Sequence, residues 1–320
     1  MKLKFIKRKV IIRISLIVLV VFSFMNIVAY MHAYKFTHFD PTITSKTKDA
    51  KQLSAIQKIK TIILGVNNPR PENKVKTERP FETIKLKSNK EIECWLIKAD
   101  SAKGTVILFH GFGGEKSSML DKANIFLDLG YSTLLVDFMG SGGSEGNQTT
   151  IGFNEAEEVR TTFEYLSNQG EKNILLFGTS MGAVAIMKAI DDYHLSPSAI
   201  ILECPFGTML KTVEARFKTM NAPTFPMANL LVFWGGFQNG FNAFHHNPEA
   251  YAKNIDCPVL LLYGEKDDKV SLKEIDIIFS NLKSKNKELK TYPLAGHENY
   301  LIRYREKWIA DITSFIATIR

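Results

Sequence analysis

Five short apolar runs constrain this chain more than any other feature. GTVILFH (104–110), STLLVDF (132–138), NILLFG (173–178), SAIILEC (198–204) and PVLLLYG (258–264) are continuous rather than alternating in Val, Ile, Leu and Phe. Continuous runs of this length mark strands covered on both faces, as in a parallel sheet between two helical layers. Helical patterns follow four of them, near 117–129, 153–168, 180–192 and 271–284, and a last one fills 298–318. FETIKLKSNKEIECWLIKAD alternates about a Ser-Asn-Lys turn and predicts an antiparallel hairpin ahead of these strands. KELKTYPL (287–294) predicts one more strand. The expected class is α/β, a doubly wound and mostly parallel sheet.

Residues 206–250 interrupt this rhythm. Phe206, Phe217, Phe225, Trp234, Phe237, Phe241 and Phe244 lie there with Met209, Met220 and Met227, broken by Pro and Gly. A compact domain rarely carries so long a loop without structure of its own, so the segment predicts an inserted helical cap.

Ahead of the domain, residues 1–13 hold six basic residues and no acid, and 14–31 (ISLIVLVVFSFMNIVAYM) hold no charge. That length is about the minimum that spans a hydrocarbon core. The basic flank predicts a cytoplasmic N-terminus and a domain beyond the far face of the membrane; the alternative is an exported protein whose signal is cleaved. Residues 32–79 read as a polar stalk with some helix near 50–64, and 80–320 as the α/β domain. The formal net charge of +8 divides unevenly: residues 14–90 have 13 basic and 5 acidic residues, residues 91–320 have 22 and 28. The positive charge belongs to the anchor and stalk, where lysines can meet anionic lipid head groups, and no nucleic-acid footprint is expected in the domain. Cys94, Cys204 and Cys257 form neither a disulfide framework nor a metal-ligand spacing; buried thiols are expected, with no metal and no cofactor.

Ligands of an open parallel sheet bind at the carboxyl ends of its strands, and the chemically informative residues fall there. Ser180 follows NILLFG within GTSMG, and glycines two residues to either side relieve crowding on a tight strand-to-helix turn. A serine hydroxyl is a weak nucleophile unless a base takes its proton. His297, after the last strand, is the candidate base. Among Glu265, Asp267 and Asp268, after PVLLLYG, we favour Asp267 as the carboxylate that orients it, with Asp268 second and Glu203 third. Backbone amides of Phe112, in HGFGG, and Met181 are candidate oxyanion donors.

HGFGG, LLVDFMGSGGSEG, GTSMG, PVLLLYGEKD and AGH, in that order, resemble the α/β-hydrolase superfamily from about residue 80 to the C-terminus. The resemblance is strongest to the monoacylglycerol lipase and serine aminopeptidase-like branch and to BEM46-like membrane-anchored hydrolases. It implies an α/β-hydrolase fold and a Ser-His-Asp triad. Relatives commonly carry Asp-x-Arg-Gly after the fourth strand; this chain has Asp137-Phe138-Met139-Gly140. The expected activity is cleavage of carboxylic esters of acyl or other small apolar substrates by a membrane-anchored serine hydrolase. A peptidase or amidase, and a non-catalytic binding protein of the same fold, are the alternatives.

Overall fold

The computed structural model describes residues 2–48 and 52–319. Its frame is one eight-stranded sheet in the order β1-β2-β4-β3-β5-β6-β7-β8. The hairpin β1 (Glu82–Lys87) and β2 (Glu91–Ile97) joins β4 (Ser132–Val136) antiparallel. β3 (Thr105–Phe109), β5 (Ile174–Thr179), β6 (Ala199–Glu203), β7 (Val259–Gly264) and β8 (Lys287–Tyr292) continue it in parallel. β3, β4, β6 and β7 are buried at every position, which is why their sequences do not alternate. Strand order reverses between β3 and β5, so the loops that leave those two strands open a crevice at the sheet's switch point.

In chain order the helices are α1 (Lys2–Thr37), α2 (Ala55–Leu64), α3 (Leu120–Asp128), α4 (Glu155–Asn168), α5 (Met181–Tyr193) and α6 (Met209–Thr219). They continue with α7 (Met227–Gln238), α8 (Pro248–Tyr251), α9 (Leu272–Asn281), α10 (Tyr300–Arg303) and α11 (Arg305–Thr318). One face of the sheet packs on α5 through Ala183, Val184 and Met187; the other packs on α3 and α11 through Phe126, Trp308 and Phe315. Helices α6 and α7 fill the segment between β6 and β7 that departs from the βα rhythm. The C-terminal pattern expected as one helix divides at Tyr304, whose φ of −129° and ψ of 45° leave the helical region.

The segment read as a stalk lies against the domain instead. Phe39 N donates to Asn147 O (2.6 Å) and Asp40 bridges to Pro69. The Arg70 guanidinium donates to Gly142 O (2.9 Å), Ser144 O (2.6 Å) and Gly146 O (3.2 Å). Phe36 and Phe39 both pack on Phe112. These anchoring residues recur with no period, so sequence patterning alone reads the segment as polar linker.

Arg8–Thr37 of α1 is long and apolar enough to cross a membrane. Its first part projects with apolar side chains exposed, and its last part docks on α7. Ala29 and Ala33 are buried there, Trp234 Nε1 donates to Asn26 Oδ1 (3.1 Å), and Gln238 Nε2 donates to Tyr30 O (2.8 Å). Small residues four apart allow two helices to approach closely.

Candidate active site

The turn from β5 into α5 explains Ser180. The residue has φ 51° and ψ −109°, a conformation that costs a non-glycine residue of order 1–3 kcal/mol and clusters at functional sites. Both flanking glycines are required by contact. A β-carbon on Gly178 would stand 2.5 Å from Ala183 N, and one on Gly182 would stand 2.4 Å from Phe109 O. The turn therefore closes only without side chains at these positions, and it presents the serine hydroxyl above the sheet.

His297 Nε2 lies 3.0 Å from Ser180 Oγ, and His297 Nδ1 lies 2.7 Å from Asp267 Oδ2. The Asp267 side chain is wholly buried on a turn that satisfies its other oxygen: Lys269 N and Val270 N donate to Oδ1 at 2.8 and 2.9 Å. Those two donors aim the carboxylate at the imidazole. Ser180, Asp267 and His297, from three different strand ends, form one continuous relay. Burial works against protonation of His297, but the contacts with Cys204 and Asp267 outweigh it and raise its pKa above the ordinary imidazole value.

Glu203 does not reach the imidazole. Its carboxylate accepts from Trp308 Nε1 (2.8 Å) and Thr179 Oγ1 (2.9 Å) and pairs with Lys122 Nζ at 3.1 Å, all beneath the sheet edge. Ser180 N donates to Glu203 O (2.7 Å), so this buried network underpins the serine turn.

The HGFGG loop lies directly against the serine: a β-carbon on Gly111 would be 3.7 Å from Ser180 Cβ. His110 holds this loop. Its Nε2 accepts from Phe138 N at 3.1 Å, which leaves Nδ1 as donor to Gly111 O at 2.8 Å. Burial lowers its pKa and favours this neutral tautomer. Phe112 lies two residues further along this loop, and Met181 is the first residue of α5, directly after Ser180. Nearby, Asp137 is buried and accepts from the Lys116 ammonium, Lys116 N (2.6 Å), Gly143 N (2.8 Å) and Asn73 Nδ2 (2.8 Å). Met139 occupies the usual arginine position, yet a guanidinium still braces the following loop, that of Arg70.

Sequence reasoning missed Cys204 as a neighbour of the relay. It is buried, has φ 41°, and its Sγ lies within 4.8 Å of ligand atoms of Asp267 and His297. Its place directly after β6, another carboxyl end, was the available signal. These three side chains carry donors suited to a soft divalent ion, but the two partners of Cys204 are already bonded to each other.

An apolar cavity of about 500 Å³ lies under the cap. Phe112, Ile151, Met209 and Phe241 line it, and so do residues of α1, among them Phe36, which stacks on Phe112.

A strained serine at the switch point is bonded through histidine to an aspartate within this mostly parallel sheet. The fold is that of the α/β-hydrolases, and the sequence is similar to members of that superfamily. Residues 100–231 match the family described as serine aminopeptidase, S33. The uncharacterised protein YqkD of Bacillus subtilis is 27% identical over 195 residues, 59% of this chain and 63% of YqkD. The lysophosphatidylserine lipase ABHD12 of Danio rerio is 26% identical over 189 residues, 55% of this chain and 47% of the relative. The chain thus spans about half to two thirds of the length of these curated relatives. Among solved structures, the Pyrococcus furiosus esterase Pf2001 shares the fold with a TM-score of 0.65 and 21% identity, over 79% of this chain and 99% of that one.

Proposed function

We propose that this hydrolase cleaves carboxylic esters of acyl substrates through a covalent acyl-enzyme on Ser180, with α1 as its membrane anchor and the domain outside the cytoplasmic face. The observation that carries the reading is the unbroken relay from Ser180 Oγ through both nitrogens of His297 to Asp267. His297 Nε2 takes the hydroxyl proton as Oγ attacks the carbonyl carbon, and Asp267 stabilises the imidazolium that results. The oxyanion is met by the N–H groups of Phe112 and Met181, each of which contributes about 10²–10³-fold in comparable sites. Collapse breaks the ester C–O bond, and the alcohol leaves with the proton from His297. Water, deprotonated by the same nitrogen, then releases the acid and regenerates Ser180.

A peptidase is the second reading, and the family description of residues 100–231 favours it. The cavity argues for the ester, because among the described residues its lining is mainly apolar and offers no acidic group for a substrate amino terminus. Purified full-length protein assayed on p-nitrophenyl butyrate and on aminoacyl p-nitroanilides separates the two. Ester turnover that disappears in Ser180→Ala is expected. Preferential turnover of the anilides would reject the ester reading, and undiminished esterase in Ser180→Ala would reject the nucleophile.

A further inference from the structure

The cavity under the cap is not a property of the cap alone. Phe24, Met25, Val28, Ala33 and Phe36 of α1 line it together with Met209, Phe217 and Val232 of α6 and α7. The membrane helix is locked in this position by its small face: a β-carbon on Gly235 of α7 would stand 4.0 Å from Ala33 Cβ, and Trp234 bonds to Asn26. The cavity's volume of about 500 Å³ is enough to admit an acyl chain.

The surroundings of the cavity are those of a surface immersed in lipid. Phe225, Phe233 and Phe237 of the cap are 77%, 49% and 68% exposed, and Ile56 and Ile59 of α2 are 79% and 58% exposed. They flank the exposed apolar length of α1, and a patch of this extent on a water-facing surface would be unusual. The inner part of α1 therefore forms cavity wall while its outer part faces hydrocarbon, and the two are continuous along one helix.

Among the described residues, three cations stand at the end of the cavity near the serine loop. Lys46, Arg216 and Lys269 line it, and the Lys46 ammonium stands 5.8 Å from the Phe112 ring centre and 3.0 Å from where a β-carbon of Gly113 would lie. Burial first, and then repulsion from Lys269, Arg216 and Lys74, lowers the pKa of Lys46. An anion at this end would reverse that cost.

We propose that α1 is a wall of the acyl site as well as an anchor: a single-chain lipid ester with an anionic head group enters the cavity sideways from the bilayer, its chain between α1 and the cap and its head group at Lys46, Arg216 and Lys269. Binding stands independently of the ester-hydrolase reading; only turnover of the bound lipid rests on it. The lipid's carbonyl would then sit at the Phe112 loop, within reach of Ser180.

The test uses full-length Ser180→Ala protein in lipid nanodiscs and a palmitoyl lysophosphatidate with a diazirine along its chain. Photolysis is expected to label α1 within 25–36 together with α6. Unlabelled lysophosphatidate should displace the label at about tenfold lower concentration than palmitoyl monoacylglycerol, the ratio expected of one charge-assisted contact. Val28→Trp, which fills the cavity, should reduce displaceable labelling tenfold or more, and Lys46→Gln should remove the head-group preference without relying on that variant's folding. Label confined to 14–22, label on α6 without α1, or label that neither lipid displaces overturns the proposal. Equal displacement by the two lipids overturns the head-group assignment. Because binding needs no chemistry, a failure of the hydrolase reading appears separately, as no fluorophosphonate adduct on wild-type Ser180.

Discussion

The carboxyl edge of the sheet and the N-terminal side of the molecule meet at Phe112 but are built by opposite rules. At the sheet edge, each relay residue follows a strand within a few positions, and at the serine turn backbone contacts dictate the neighbours, as Gly178 and Gly182 illustrate. On the N-terminal side, α1 and residues 38–79 are held by scattered side chains such as Asn26, Phe36, Phe39 and Arg70, none placed by a repeating element. On the proposed reading, the first region fixes where a bond is attacked and the second shapes what can approach it. Substitutions in the two regions should therefore fail differently.

The largest separation is expected at the relay. Asp267→Asn should lower kcat on the order of 10⁴-fold with the fold intact, because the imidazole loses its orienting acceptor. Asp268→Asn should change kcat less than about tenfold, as expected of a residue outside the relay. Reversal of that ranking in steady-state assays would move the acid to Asp268. Below the sheet edge the expected loss is in stability. Lys122→Ala leaves Glu203 buried with its cation removed, and a buried pair broken this way costs about 3–5 kcal/mol. A denaturant midpoint that does not move would show that Glu203 is not the keystone of the serine turn.

On the N-terminal side, Arg70→Ala removes three hydrogen bonds to backbone carbonyls. About 1–3 kcal/mol of stability should be lost, with the chain-length preference of the enzyme altered more than its turnover of acetate esters. An equal loss on both would erase the distinction between the regions. Trp234→Phe, which deletes only the bond to Asn26, should cost about 0.5–1.5 kcal/mol and show its effect on long-chain esters first.

Protonation offers a finer probe of the relay. His297 must be neutral to accept the Ser180 proton, and its pKa is raised above the ordinary value of 6.5. Activity should accordingly rise with pH along a limb centred above 6.5. In Asp267→Asn burial remains while the carboxylate is gone, so the residual activity should show that limb at lower pH. An unmoved limb in a kcat/KM profile would mean that Asp267 does not govern the imidazole.

The same contrast decides what was legible beforehand. Continuous apolar runs and close-packed glycines leave few alternatives, so the sheet, the serine turn and the histidine could be read from residues alone. Asp267 and Asp268 are one residue type on one turn; only the direction of the side chain, fixed by Lys269 N and Val270 N, distinguishes them. Cys204 was overlooked because a cysteine ending an apolar run reads as core, and its approach to His297 depends on a positive φ. The docking of 32–79 was illegible because aperiodic contacts with distant loops leave no pattern in the segment itself.

The central claim is that Ser180 is the nucleophile of a working relay. Full-length wild-type protein in detergent or nanodiscs, treated with a fluorophosphonate and digested for mass spectrometry, tests it most directly. A single phosphonyl adduct on the peptide containing Ser180, lost in His297→Ala and in Ser180→Ala, is the predicted result. No adduct on the folded wild-type protein, or an adduct on another residue that persists in Ser180→Ala, would contradict it.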